Sequence, residues 1–218
     1  NLSYLEKGLS IRDLFYHIRR AKIDNRIKAI YLKISAFSGG FAKTEDIGQI
    51  LKDFRESKKK VYGFVETGGL KEFYLASFAD KVYAFKGGYF ALNGLASEAM
   101  FLKDTLSKIG VEAQLFHRGD YKTASNMFME NGLTEAHRES LQQLLDDIYQ
   151  STLEQTARNR KMKAADLKAL INTYPVMKDP YKKIGLVDEL GYEDELLKEL
   201  KGKNPMVDFM VYKETTKP

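Results

Sequence analysis

Short apolar segments alternate with longer amphipathic segments along the first 117 residues of this chain. The short ones have the composition of strands, and four of them are Ile27–Ile34, Val61–Val65, Lys81–Phe85 and Val111–His117. The segments between them carry apolar residues at helical spacing, which predicts helices after Ser10, after Thr44, over Leu70–Phe78 and over Glu98–Ile109. Because strands that alternate with helices usually pair in parallel, we predict an α/β fold with a mainly parallel sheet flanked by helices.

Two of these helices follow a hydroxyl side chain that is suited to cap them. Ser10 precedes apolar residues that share one helical face, namely Ile11, Leu14, Phe15 and Ile18. Thr44 precedes a second such set, namely Ile47, Ile50, Leu51 and Phe54. A hydroxyl oxygen at the start of a helix accepts a hydrogen bond from a free amide of the first turn. We therefore predict that Ser10 and Thr44 are the N-caps.

The last third of the chain changes to a mainly helical pattern. A long helix is predicted from Thr134, with an apolar face formed by Leu141, Leu144, Leu145 and Ile148. Helices follow over residues 164–171 and 192–200, with a short strand near residue 188 between them and a last strand over residues 207–212. We predict a single α/β domain spanning residues 1–218, with a helical extension from about residue 134.

Composition excludes several classes of site. The chain has 218 residues, of which 44% are hydrophobic, and no cysteine, so disulfides, zinc–thiolate sites and a cysteine nucleophile are excluded. No apolar run approaches the roughly 18 residues of a membrane span, and no signal peptide opens the chain. The net charge of +5 is spread evenly, without a basic cluster interleaved with aromatic residues, so we expect no nucleic-acid partner. We expect a soluble piece of a longer protein.

A glycine pair, Gly39-Gly40, follows the first predicted strand. Backbone amides at the head of such a turn can bind an oxyanion or a phosphate, although most glycine pairs are simple turns. The pair lacks the spacing of a P-loop or a dinucleotide-binding turn. The three histidines, His17, His117 and His137, have no metal-ligand spacing. We therefore expect no cofactor and no metal.

The segment Arg118–Ser125 places a lysine directly after a glycine turn at the end of the fourth predicted strand. Small and weakly charged residues flank Lys122, a setting that could shield its amine from water. An ordinary lysine has a pKa of about 10.4, so burial must favour the neutral amine before it can act as a base at neutral pH. A solvated turn residue is the other interpretation of the same pattern.

The order of several segments resembles the signal peptide peptidase A (protease IV) family, which are membrane-attached bacterial Ser/Lys peptidases of the crotonase/Clp-protease-like fold. The segments that carry the resemblance are Ile34–Gly40, Lys60–Phe64, Phe73–Val82, Gly119–Ala124, Leu133-Thr134, Ala157–Arg160 and Ile184–Asp188. The resemblance implies the crotonase/Clp-protease-like fold for this chain. It also implies that Lys122 is the catalytic general base, since this residue matches the lysine of a glycine-aromatic-lysine-serine/threonine-alanine segment in the family.

The chain departs from the family where the serines should stand. The nucleophilic serine of the family lies in a serine-glycine-glycine-tyrosine segment, and the matching residues here are Leu70-Lys71-Glu72-Phe73, with Leu70 in the place of the serine. A second serine, which orients the lysine, follows a glycine in the family, whereas here Gly94 is followed by Leu95. A lysine without a serine is similar to the N-terminal half of tandem-domain members, in which the second half supplies the serine.

The resemblance therefore implies a serine-type endopeptidase of which this fragment alone is incomplete and inactive. It implies a serine-bearing C-terminal domain as partner, a homo-oligomeric ring in the full-length protein, and peptide substrates such as cleaved signal peptides. It also implies a location at the bacterial inner membrane, outside the cytoplasm, with an anchor that is not in this chain. Two alternatives remain open: a non-catalytic oligomerisation module of the same fold, and an acyl-CoA hydratase or isomerase that uses Gly39 and Gly40 as an oxyanion hole.

Overall fold

Four parallel strands form the main sheet of the computed structural model. They are β1 (Ala29–Ile34), β2 (Lys60–Val65), β4 (Lys81–Phe85) and β6 (Glu189–Gly191), and they lie in the order β1-β2-β4-β6. A separate pair of short parallel strands is formed by β3 (Gly68–Gly69) and β5 (Phe90–Ala91). The mainly parallel sheet predicted from the alternating pattern is therefore present.

The structure describes residues 10–173, 179–202 and 205–215, and these fall into two compact units. The first unit holds the described residues up to Asn93 and from Thr152 onward, and the second is Gly94–Ser151. Helices wholly within the first unit are α1 (Ile11–Ile23), α2 (Phe41–Arg55), α3 (Leu70–Ala76), α7 (Ala164–Ile171), α8 (Asp179–Lys183), α9 (Glu193–Lys201) and α10 (Phe209–Thr215). The second unit contains α4 (Lys103–Lys108), a 3-10 turn (Thr123–Ser125), α5 (Asn126–Met129) and the first part of α6 (Glu135–Arg160).

The two faces of the sheet follow from the alternation of side chains along each strand. On one face, Phe64 and Tyr83 pack with Leu196 of α9 to form a buried cluster. The other face carries Gly63, where an added Cβ would lie 3.4 Å from the side chain of Ala79, next to the end of α3. The sheet of the first unit is thus covered by helices on both faces, as a parallel sheet requires.

Two aspartates complete the backbone hydrogen bonding at the start of β2 and of β4. Asp80 lies just before β4, and Asp188 lies just before β6. Val61 N donates to Asp80 Oδ2 at 2.9 Å, and Asp80 N donates to Val61 O at 2.8 Å. Asp188 makes the same reciprocal pair with Val82, at 2.7 and 2.8 Å. An arginine holds each carboxylate: Arg55 lies 3.1 Å from Asp80, and Arg160 lies 2.9 Å from Asp188.

Several of the predicted element boundaries are confirmed. Ser10 Oγ accepts a hydrogen bond from Asp13 N at 3.1 Å and caps α1. Thr134 caps α6 in the same way, since its Oγ1 accepts from His137 N at 3.3 Å. The predicted helix over residues 164–171 is α7. In these places a local signal, a cap or a helical period, sufficed to set the boundary.

Four other predictions were wrong. Thr44 does not cap α2, because the helix already begins at Phe41, and Thr44 Oγ1 donates to Gly40 O at 3.0 Å from inside the first turn. The helix predicted over residues 98–109 is reduced to α4. Residues 111–117 form no strand, and no other strand lies within Gly94–Ser151 to pair with them. Residues 207–212 lead into α10, with Asp208 Oδ1 accepting from Met210 N at 2.8 Å.

None of the helices in the described ranges combines the length and the hydropathy that a membrane span requires.

A buried histidine lies where α1 meets α10. His17 is only 4% exposed, and its ring makes edge contacts with Tyr16 at 5.0 Å and with Phe209 at 5.9 Å. Burial lowers the pKa of His17, and the positive charge of Lys213 lowers it further, which together outweigh the opposing effect of Asp13. Folding therefore favours the neutral imidazole at this site.

We expect Asp80→Ala to lower the free energy of unfolding by about 2–3 kcal/mol, because it leaves the amide of Val61 and the guanidinium of Arg55 without their shared acceptor. Urea unfolding measures the change. Asp46→Ala is the matched control, since Asp46 is exposed on α2, and it should change stability by less than about 0.5 kcal/mol. Equal effects of the two substitutions would contradict the structural importance of Asp80.

We expect part of the stability of the first unit to be lost as the pH falls below about 6.5, the ordinary pKa of histidine. The pKa of His17 is lower in the folded chain than in the unfolded chain, so its contribution is present above that pH and declines toward the folded pKa. Urea unfolding between pH 7.5 and pH 5 should show a smaller loss for His17→Gln than for wild type. Parallel pH profiles of the two proteins would refute this assignment.

Candidate active site

Lys122 lies in the second unit on a glycine turn. Gly119 has a φ of +94°, a conformation that L side chains rarely adopt, and its carbonyl accepts a hydrogen bond from Lys122 N at 3.2 Å. Lys122 is the residue immediately before the 3-10 turn Thr123–Ser125. Its side chain is exposed, as are those of Tyr121 and Ala124. The small neighbours of Lys122 therefore do not shield it from water within this unit.

The turn opens onto a surface depression of about 370 Å³ in the second unit. Its walls combine an amine, an imidazole and apolar side chains, and they are formed by Leu115, Phe116, His117, Lys122, Ala124 and Ser125. Lys122 Nζ forms no hydrogen bond or ion pair with the described residues. The amine is thus free to engage a ligand or another chain.

Ser125 is a second polar group of this depression. Its Oγ is buried and has no hydrogen-bond partner among the described residues. An unsatisfied buried hydroxyl costs on the order of 1–3 kcal/mol, so such a group is seldom left without a partner. Ser125 was not among the residues predicted from the sequence.

The lysine turn is tied to the start of α6 by two side-chain contacts. Tyr121 Oη donates to Glu139 Oε2 at 2.7 Å, and the carboxylate of Glu139 raises the pKa of the Tyr121 phenol. Asn126 is buried, and its Nδ2 donates to Thr134 Oγ1 at 3.3 Å. The start of α6 and the residue before it therefore contact side chains on both sides of Lys122.

Gly39 and Gly40 lie in the first unit, at the turn between β1 and α2. Gly40 is the N-cap of α2, and its carbonyl accepts from Thr44 N at 3.1 Å. A Cβ on Gly39 would meet the ring of Phe37 at 2.6 Å, so a side chain would require the ring to move. Neither glycine amide donates a hydrogen bond within the described residues, which leaves both available to an acceptor.

The position that matches the family serine is filled by side chains with internal contacts. Leu70 begins α3 and is 5% exposed. Glu72 is buried as well, and its Oε2 accepts from Gly69 N at 2.8 Å. Lys71 Nζ donates to Phe37 O at 2.5 Å and lies 4.5 Å from the centre of the Phe37 ring. Lys71 and Glu72, which replace the two glycines of the family segment, were not singled out from the sequence.

A charged network lies at the carboxyl ends of β1 and β2 in the first unit. Lys33 Nζ bridges Glu66 at 3.0 Å and Glu193 at 2.7 Å. The remaining carboxylate oxygens accept from Ser35 Oγ at 2.7 Å and from Tyr31 Oη at 2.8 Å. The hydrogen bonds from Ser35 and Lys33 lower the pKa of Glu66. Because every oxygen of the pair is occupied, this network has the character of a structural ion pair.

No group of three or more histidine, aspartate or glutamate side chains in the described ranges is arranged to hold a metal ion.

Comparison with known proteins places this chain in a family. The model of peptidase family S49 matches residues 53–206. The chain therefore belongs to peptidase family S49, the signal peptide peptidase A (protease IV) family that its motifs resemble.

Two curated relatives show the extent of the likeness. The chloroplastic serine protease SPPA of Arabidopsis thaliana is 33% identical over 218 residues, which cover 96% of this chain but only 32% of the relative. Protease 4 of Salmonella typhi is 31% identical over 159 residues, which cover 72% of this chain and 26% of the relative. The chain thus spans about a third or less of the length of these relatives.

Among solved structures, a 1510-N membrane-bound stomatin-specific protease is similar in fold. It aligns with 86% of this chain and 76% of its own, with a TM-score of 0.51 and 15% sequence identity. The crotonase/Clp-protease-like α/β fold expected from the sequence is confirmed.

Proposed function

We propose that this chain is the N-terminal half of a Ser/Lys signal peptide peptidase and that it supplies Lys122 as the general base. The nucleophilic serine would come from a second domain. The observation that carries the proposal is a combination found in this S49 chain. Lys122 lines a depression and has no competing partner among the described residues, while Leu70 stands at the position that matches the family serine.

In the proposed reaction, the neutral amine of Lys122 takes the proton of the serine hydroxyl as the serine oxygen attacks the scissile carbonyl. Protonated Lys122 then donates that proton to the amine nitrogen of the leaving peptide. A lysine with an ordinary pKa of about 10.4 is neutral only about once in several thousand molecules at pH 7. Removal of water from the amine favours its neutral form. A base at this position therefore needs a neighbouring domain that excludes water from the amine.

Exposed apolar side chains in the second unit are suited to contact a domain that excludes water from Lys122. Phe116 is 98% exposed, and Leu115 beside it is 42% exposed, although both line the depression that contains Lys122. Ile109 and Met100 are 71% and 66% exposed in the same unit. A neighbouring domain that buried these side chains would also remove water from Lys122. We propose that the serine-bearing domain makes this contact, within a homo-oligomeric ring of the full-length protein.

The proposed substrate is an extended, apolar peptide such as a cleaved signal peptide. Leu115 and Phe116 offer an apolar wall to a substrate side chain beside the lysine. Gly39 and Gly40 are proposed as oxyanion or substrate-binding groups, because their amides have no acceptor within the described residues. For the full-length protein we propose a location at the bacterial inner membrane, outside the cytoplasm, with the anchor in another segment.

One observation favours a second function, a non-catalytic oligomerisation module. Lys122 is exposed, and the apolar side chains around it are of the kind that an assembly interface buries. The two proposals differ in whether activity of the assembled protein depends on Lys122. Membership of a peptidase family disfavours the acyl-CoA hydratase or isomerase alternative.

We expect Lys122→Ala in the full-length protein to lower kcat for an apolar peptide ester by a factor of about 10²–10⁴, because the general base is lost. Lys108→Ala is the matched control, since Lys108 is also exposed in the second unit and should leave kcat unchanged. Circular dichroism and size-exclusion chromatography check folding and assembly of each variant. Equal activity of wild type and Lys122→Ala would refute the catalytic proposal and favour the oligomerisation module.

We also expect the 218-residue chain alone to show no hydrolysis, and addition of the separately expressed serine-bearing half to restore it. The physical reason is that the base and the nucleophile reside in different domains. Lys122→Ala chain mixed with the same half should remain inactive. Hydrolysis by the isolated chain would show that its own residues form a complete site.

A further inference from the structure

Two polar groups of the second unit lack a partner among the described residues and lie at the two ends of one 3-10 turn. Lys122 precedes the turn Thr123–Ser125, and Ser125 ends it. Lys122 itself has φ −86° and ψ 73°, outside the 3-10 region, and three residues of such a turn advance the chain by about 6 Å. A lysine side chain is long enough to span that distance. Both residues also line the same depression, which is the region where such a contact would form.

Each of the two groups lacks a hydrogen bond that the other is able to supply. Ser125 Oγ is buried without a hydrogen-bond partner among the described residues, and Lys122 Nζ has none there either. Rotation about χ1 moves a serine oxygen between three staggered positions at little cost. Such a rotation relieves the unsatisfied hydroxyl if it brings the oxygen to the amine.

Other neighbours are less suited to this task. The Nδ1 atom of His117 lies 3.1 Å from Gly119 O, so one ring nitrogen is already engaged. Thr123 follows Lys122 directly, and adjacent residues of a helical turn do not share a face. Leu95, at the position of the lysine-orienting serine of the family, has no polar atom on its side chain.

We propose that Ser125 is a positioning residue whose hydroxyl oxygen accepts a hydrogen bond from Lys122 Nζ and fixes the direction of the amine. This inference rests on the proposed function of Lys122 as the base. With one N–H held by Ser125, the lone pair of the neutral amine points away from the turn, toward the incoming serine hydroxyl. Ser125 itself exchanges no proton with the substrate.

The test compares Ser125→Ala with wild type in the full-length protein. We expect the plateau value of kcat to fall about 10-fold with little change in KM, because the base is present but poorly oriented. The acid limb of the pH–rate profile should move to lower pH, since an acceptor that stabilises the charged ammonium has been removed. Loss of packing alone would lower kcat without moving that limb. Ser125→Thr, which keeps the hydroxyl, should restore most of both properties.

Ser107→Ala is the matched control, because Ser107 is exposed on α4 in the same unit. It should leave kcat and the pH profile unchanged. If Lys122→Ala abolishes activity while Ser125→Ala changes neither the plateau nor the acid limb, the positioning proposal is wrong and the proposed function stands. If Lys122→Ala leaves activity intact, the proposed function fails.

A measurement that does not depend on turnover tests the contact itself. Amine labelling of the assembled full-length protein with acetic anhydride across a pH series, read by mass spectrometry, reports the fraction of Lys122 that is neutral. In Ser125→Ala the midpoint of Lys122 labelling should shift to lower pH, while Lys108 in the same sample serves as an internal reference. An unchanged midpoint would overturn the proposed hydrogen bond, whatever the activity of the variant.

Discussion

The first unit depends on two aspartates that satisfy backbone amides at the points where strands begin. Asp80 and Asp188 each pair reciprocally with a residue of the preceding strand, and each carboxylate is held by an arginine. Each arginine also donates to a backbone carbonyl just before its aspartate, at 3.0 Å in both cases. The repeated arrangement fixes how β2, β4 and the chain before β6 enter the sheet. The positions of the strand ends, and of the turns that follow them, are set by this register.

On that scaffold, the segment that matches the family serine is packed into the first unit. At the start of α3, Leu70 and Glu72 are buried and Lys71 is partly buried. The carboxylate of Glu72 accepts a hydrogen bond from the amide of Gly69, and the amine of Lys71 donates one to the carbonyl of Phe37. The contacts of Lys71 and Glu72 do not involve the side chain of Leu70, so Leu70→Ser alone would leave both contacts in place.

Much of the fold could be predicted because its signals are local. Ser10, the helical period of α7 and the apolar run of β4 each specify an element without reference to distant residues. Two of the failures were apolar runs near residues 111–117 and 207–212, since such a run becomes a strand only if another strand lies beside it. At the site, the glycine turn marked Lys122. Ser125, Lys71 and Glu72 were not predicted as residues of interest. The lack of a hydrogen-bond partner for Ser125 and the contacts of Lys71 and Glu72 are visible only in the three-dimensional structure.

Under the proposed function, the exposure of Lys122 becomes a means of control. Lys122 is exposed within its own unit, and burial of the amine is what would favour the neutral form that the proposed mechanism requires. The surface that would cover the amine carries the exposed side chains of Leu115 and Phe116, and burial of apolar area drives association. The contact that joins the domains would then be the contact that creates the neutral base. Hydrolysis would be confined to the assembled enzyme, because assembly and activation would share one interface.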